Sequence, residues 1–189
     1  MHLIRRFIPA LLVVLVPLAL ACSDPNELAP PRDKNFVDTL SLFALSGTPV
    51  QSASAYTVLD GAIRTDRSLG RFDFAYDIVI ANNDTTHYFL PQAVLNLQVN
   101  EQVNPGLQRR ADAFSAIIEA PSNGYITNDS LQVDSGQVFI VRSRLVCSVP
   151  VYSKIEILKF VDSTRTVELQ VLANTNCGYK RLTPGFPSE

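Results

Sequence analysis

Gln137-Val-Phe-Ile-Val-Arg142, Tyr152-Ser-Lys-Ile-Glu-Ile-Leu-Lys-Phe160 and Thr166-Val-Glu-Leu-Gln-Val-Leu172 decide the fold. In the last run Val167, Leu169 and Val171 alternate with Thr166, Glu168 and Gln170. A strand points successive side chains to opposite faces, so this pattern is that of a half-buried sheet. Asp162-Ser-Thr-Arg165 supplies turn formers at hairpin distance between the second and third runs. Cys147 and Cys177 stand around those two runs.

Working outward, strand signals recur. Thr39-Leu-Ser-Leu-Phe-Ala-Leu45 is an apolar run stopped by Gly47 and Pro49, and its length favours strand over helix. Ala55-Tyr-Thr-Val-Leu59 and Ala62-Ile-Arg-Thr65 flank Asp60-Gly61, a strong short-range hairpin signal. From Arg71 to Ile80, Phe72, Phe74, Tyr76, Ile78 and Ile80 share one face. Asn82-Asn-Asp84 turns the chain, so Thr86 to Leu90 should pair back antiparallel. Leu95, Leu97 and Val99 alternate in a further candidate strand. One stretch breaks the pattern. Leu107, Ala111, Phe114 and Ile118 recur at helical spacing, which predicts a short helix over 106–120, ended by Pro121. The class is therefore mainly β, an antiparallel β-sandwich or open barrel with one short helix.

The N-terminus carries the most specific signal. Arg5 and Arg6 precede an apolar run, Phe7 to Leu20, of about 14 residues, whereas crossing a bilayer takes about 20. Leu18-Ala-Leu-Ala-Cys22 resembles the bacterial lipobox, in which the cysteine is acylated and becomes the mature N-terminus. Ordinary cleavage after Ala21 is the rival, because Ala19-Leu-Ala21 also satisfies the small-residue rule. The polar Ser-Asp-Pro after Cys22 favours lipid attachment, dividing the chain into a signal peptide (1–21), an acylated Cys22 with a flexible linker (22–34), and one β-rich domain (35–189). Tyr179 to Glu189 reads as a surface tail. Ser23 stands where an Asp would retain a lipoprotein at the inner membrane, so the outer membrane is the expected destination, on either face.

Cysteine parity agrees with this reading. With Cys22 acylated, Cys147 and Cys177 remain as an even pair, and an oxidising envelope favours a disulfide over two buried thiols. Without its signal peptide the chain keeps 14 basic against 18 acidic groups, a net charge of −4 that argues against nucleic acid as a partner.

Sites for chemistry are few. His87 is the single histidine of the mature chain and reads as a surface residue near a turn. Asp73 and Asp77 share a strand face about 13 Å apart, too wide for a glycosidase pair at about 5 to 9.5 Å, and read as solvated charges. No phosphate loop, metal spacing or nucleophile elbow appears. Asn83-Asp-Thr85 and Asn128-Asp-Ser130 match the glycosylation sequon by chance. These residues give a non-catalytic protein with no cofactor, no catalytic residue and no metal ligand.

From Ala55 to Leu172 the order of landmarks resembles the HmuY-type haem-binding bacterial lipoproteins. The matching pieces are Tyr56-Thr-Val-Leu-Asp-Gly61, Arg71-Phe-Asp-Phe-Ala-Tyr-Asp77, Phe114-Ser-Ala-Ile-Ile-Glu-Ala-Pro-Ser-Asn-Gly-Tyr125, and Val138-Phe-Ile-Val-Arg142 with Tyr152-Ser-Lys-Ile-Glu-Ile157. The resemblance implies a β-rich, lipid-anchored domain. It does not bring haem with it, because the family uses two axial histidines and only His87 is present. The interval from Asn128 to Gln137 is too short for the family's histidine-bearing insertion, and Ser143 to Val151 replaces a short turn. The expected function is a cell-envelope lipoprotein presenting a ligand-binding surface, ligand unknown; the alternative is a structural or protein-partner module.

Overall fold

In a computed structural model, described over residues 28–68, 71–82, 84–96 and 104–188, the three deciding runs form the centre of one sheet. They are β8 (Val138–Leu145), β9 (Pro150–Val161) and β10 (Thr166–Asn174). With β1 (Val37–Phe43) and β6 (Gly106–Arg110) they make an antiparallel sheet in the order β1-β10-β9-β8-β6. The second sheet, β3-β2-β4-β5-β7, contains β2 (Ala55–Thr57), β3 (Gly61–Ile63), β4 (Phe74–Ala81), β5 (Asp84–Pro91) and β7 (Leu131–Val133). Two five-stranded antiparallel sheets facing each other make a β-sandwich, the first of the two architectures expected.

The core follows from the period of two. Val167, Leu169 and Val171 of β10 point inward, as do Val151 and Ile155 of β9 and Phe139 and Val141 of β8. They meet Tyr56, Phe74, Tyr76 and Phe89 from the opposite sheet. Aromatic rings link the two layers, with Phe89 edge-on to Phe139 at 5.6 Å between centroids. Rings so arranged add roughly 1 kcal/mol beyond the area they bury. The β2–β3 hairpin turns at Gly61, whose φ of 73° is costly for residues with a Cβ. Asn82 takes a similar left-handed position, φ 52°, where β4 turns into β5.

The expected helix is absent from 106–120. Gly106–Arg110 is instead strand β6 on the edge of β8, with Leu107 opposite Val141, and only Phe114–Ala116 forms a short 3-10 turn. Two causes decide it. The free edge of β8 offers hydrogen bonds to an extended partner, and a Cβ at position 106 would lie 2.8 Å from the Ile126 carbonyl oxygen, so the backbones there are in close approach. The helical spacing was coincidence: Phe114 and Ile117 are buried, while Ile118 is 56% exposed. Phe114, Ile117 and Ala120 cap the outer face of the first sheet over Ile140, Tyr152 and Leu172. Leu95 ends a 3-10 turn, Gln92–Leu95, and is not in a strand; Leu97 and Val99 lie outside the described residues.

Both ends of the domain are tied down. Ala29–Lys34, expected to be linker, is held by Asn176, which accepts from the Arg32 and Asp33 N–H groups at 2.7 and 3.1 Å and donates to the Asp33 carbonyl at 2.9 Å. The Tyr179 hydroxyl donates to the Ala29 carbonyl. The expected surface tail is packed as well: Tyr179 and Leu182 are buried, Glu119 bridges to Arg181, and Asn35 exchanges both backbone hydrogen bonds with Gly185.

Candidate functional site

Strand register places the functional candidates at opposite ends of the sandwich. At one end lie the start of β1, the end of β10, the start of β9 and the end of β8, through the pairs Val37–Leu172, Asn174–Tyr152 and Leu145–Pro150. The other end holds the β9–β10 turn, from Val161 to Thr166.

At the first end, Cys147 and Cys177 are joined by a disulfide with Cα atoms 6.1 Å apart. The bond clips the β8–β9 turn to the segment after β10, beside the seat of the incoming chain at Ala29 to Asp33. Both cysteines are exposed. Cys22 lies outside the described residues.

Next to this end an open cleft of about 590 Å³ is lined by Arg64, Arg67, Arg71 and Arg144 with Asp60 and Ile63. Three of the arginines come from the loop joining β3 to β4, and the fourth from the end of β8. Arg64 is bound to Asp66, Nη2 to Oδ2 at 2.6 Å, and that pairing holds the Asp66 carboxyl below its ordinary pKa. Among the described residues no carboxylate lies within ion-pair distance of Arg67 or Arg71. Arg144 is fixed by a hydrogen bond from Nη1 to the Arg71 carbonyl at 3.2 Å. Its backbone N–H reaches the buried Asp73 carboxylate.

Asp73 is therefore no solvated face charge. It is fully buried, and accepts from the N–H of Val58 at 2.8 Å as well as that of Arg144. Burial pushes its pKa up to about 6, against the lowering effect of those two bonds and of the Arg144 charge. The carboxylate sits where the β3–β4 loop enters β4, between the turn after β2 and the end of β8. Phe72 is buried with Ala55 and with Ala75, which shares a strand face with Asp73. Further along the same face Asp77 is half-buried and accepts from the Ser46 N–H and hydroxyl. The two carboxylates have separate partners and do not act as a pair.

His87 lies at the second end, on the inward face of β5. Its Nδ1 is 2.7 Å from the Tyr76 hydroxyl, and its Nε2 is 3.5 Å from Asp162 Oδ1 in the β9–β10 turn. The imidazole stacks on Phe160 with centroids 3.6 Å apart. Its side chain is only 12% exposed, so the surface reading is corrected: the ring joins the two sheets. Burial lowers its pKa, opposed by Asp162 and Asp134, and burial raises that of Tyr76. Tyr88 follows His87 in the strand and so faces outward, which prevents the two from ligating one iron.

Two further polar groups are structural. Lys154 is 3% exposed, with Nζ donating to the Phe114 and Ile117 carbonyls at 2.8 Å each and lying 4.6 Å from the Phe114 ring centroid. Ser153 faces Tyr56 across the core, near enough to act against the burial that raises the phenol's pKa, but neither hydroxyl has a hydrogen-bond partner. Among the described residues no cluster of His, Cys, Asp and Glu could hold a metal ion, and no helix is long and apolar enough to cross a membrane.

No protein-family model, curated protein or solved structure matches the chain. The arginine cleft was not singled out from the sequence. Arg64, Arg67 and Arg71 lie close together in an otherwise acidic chain, which was a usable signal; Arg144, seventy-three positions beyond Arg71, joins them only through the fold.

Proposed function

We propose that this chain is a lipid-anchored cell-envelope protein, held in the outer membrane through Cys22. Its β-sandwich serves as a non-catalytic binding module for an anionic ligand. The observation that carries the binding reading is the convergence of Arg64, Arg67, Arg71 and Arg144 on one open cleft. Guanidinium groups present several donors in a planar fork suited to phosphate and carboxylate oxygens. A cleft of several hundred cubic ångströms admits a small anion or one unit of an anionic polymer. The non-catalytic reading rests on the sequence, which carries no phosphate loop, metal-ligand spacing or nucleophile elbow.

Two experiments test the two halves of the reading. Cells fed a labelled fatty acid should label the wild type and leave Cys22→Ala unlabelled; equal labelling removes the anchor. Titration calorimetry with inorganic pyrophosphate should give saturable binding that is lost in Arg67→Gln/Arg71→Gln. Absence of heat in a folded wild type removes the anion site.

A further inference from the structure

The tether leaves the sandwich at the end that holds the disulfide and the arginine cleft. Cys22 is six residues from Leu28, a span of at most roughly 20 Å when extended. From Ala29 onward the chain is fastened to Asn176 and Tyr179, beside the disulfide. The twelve residues of β9 run about 40 Å. A tether half as long as the domain keeps the disulfide end next to the bilayer and leaves the Asp162 end free to point away.

The near end suits that position. Phe36 is 68% and Phe186 is 54% exposed, flanking the Asn35–Gly185 bridge, with Lys34 Nζ 5.3 Å from the Phe186 ring centroid. Phe36 has the same strand parity as Leu40 and Leu42, so it continues the inward face of β1 past the point where the core covers it. Val146 and Val149 flank Cys147 at the tip of the β8–β9 turn, also exposed. Arg32 and Lys34 precede β1, and the arginine cleft opens beside Asp60, in the turn from β2 into β3, the strand whose Gly61 meets Leu40 of β1. The far end carries Asp77, Asp134 and Asp162, the last two near enough to act on His87, together with Lys159, Arg165 and the exposed Val79 and Ile80. Exposed aromatic and aliphatic side chains interleaved with basic ones are the composition of a surface that seats in a headgroup layer.

We infer that the tether end of the sandwich docks on the bilayer that holds the anchor. The arginine cleft then takes the phosphate-bearing head of an anionic lipid in that bilayer. This rests on the anchor and anion-site readings above, and it names the source of the anion. Phe36, Phe186, Val146 and Val149 enter the headgroup region while Arg67 and Arg71 reach lipid phosphate.

The test uses the mature chain with Cys22→Ala, which has no acyl chain to hold it on a membrane. It is mixed with vesicles of phosphatidylcholine alone, or of phosphatidylcholine with phosphatidylglycerol, and separated by flotation. The chain should float with the anionic vesicles and not with the neutral ones, and added salt should release it. Arg67→Gln/Arg71→Gln should weaken binding by roughly fivefold for each arginine. Phe36→Ser/Phe186→Ser should weaken it without altering pyrophosphate binding, and Lys159→Gln, at the far end, should leave it unchanged. Variants are compared only where their melting matches the parent. Pyrophosphate binding without flotation overturns the docking inference and leaves the anion site standing. Flotation indifferent to both pairs of substitutions also overturns the inference. Failure of both pyrophosphate and vesicles removes the anion site and the inference together.

Discussion

The backbone N–H of Arg144 reaches the buried carboxylate of Asp73 at 3.3 Å, joining the end of β8 in one sheet to the start of β4 in the other. The same carboxylate holds the Val58 N–H at 2.8 Å, so one side chain fixes the turn after β2 and the floor of the arginine cleft. A fully buried acid in that position has a stability signature.

Burial raises the Asp73 pKa from 3.8 to about 6, so between those values the folded chain binds a proton that the unfolded chain has released. Stability from this group is fully present below about pH 4 and is lost as pH rises through about 6, a difference of about 3 kcal/mol. Thermal melts of the wild type and Asp73→Asn, taken from pH 4 to 7, should differ in slope. The wild type should lose more stability than the variant as pH rises. Parallel curves would show that Asp73 has an ordinary pKa.

The disulfide closes a loop of thirty positions, and constraint of the unfolded chain should stabilise the fold by roughly 3 to 4 kcal/mol. Because Cys147 and Cys177 are exposed, mild reductant should reach the bond in the folded protein. Reduction, or Cys147→Ser/Cys177→Ser, should lower the melting temperature by several degrees, on the order expected for such a loss in a domain of this size. An unchanged melting temperature after mass-confirmed reduction would contradict it.

The sheet was legible where a strand buries one face only. Val167, Leu169 and Val171 of β10 alternate with half-exposed partners, and their pattern shows it. Val138 to Val141 of β8 is buried on both faces, because Phe114 and Ile117 cover the outer one, so its sequence shows only an apolar run. The covering segment was itself misread, since Leu107 serves one core and Phe114 another, and their helical spacing reflects neither. Asp73 was misplaced for a related reason. Its strand parity matches Asp77, which is half-exposed, and local period does not reveal that the N–H groups of Val58 and of the distant Arg144 converge on one of the two. The cleft has no contiguous motif for the same cause: its fourth arginine comes from the other sheet.

Lys154 serves as a buried cap for the 3-10 turn, with its ammonium on the carbonyls of Phe114 and Ile117. Lys154→Met keeps the stem and removes the donors, leaving two carbonyls without partners under a closed lid. Hydrogen bonds to charged groups contribute about 1.5 to 3 kcal/mol each, offset here by the cost of desolvating the lysine. A net loss of about 2 kcal/mol is expected, read by urea denaturation. Exchange protection should fall in 113–120 before it falls in β9. A variant as stable as the wild type would show that desolvation cancels the two bonds.

His87 gives the last prediction, in which stability and ligand chemistry meet. Both ring nitrogens are engaged, Nδ1 with the Tyr76 hydroxyl and Nε2 facing Asp162, and the ring lies against Phe160. Burial lowers its pKa, so the unfolded chain takes up a proton before the folded one does. The stability contribution is therefore present above the ordinary histidine pKa of 6.5 and is lost as pH falls through the lowered value. His87→Gln should lose less stability than the wild type over that acid range, the reverse of the Asp73→Asn comparison. For iron to bind, His87 would have to leave Tyr76 or Asp162, and Tyr88 on the opposite strand face is no second ligand. Haem titrated into the mature chain should therefore give no saturable low-spin Soret band, and any weak absorbance change should persist in His87→Ala. A low-spin band that disappears with His87 would show that the ring swings out of its stack to ligate iron.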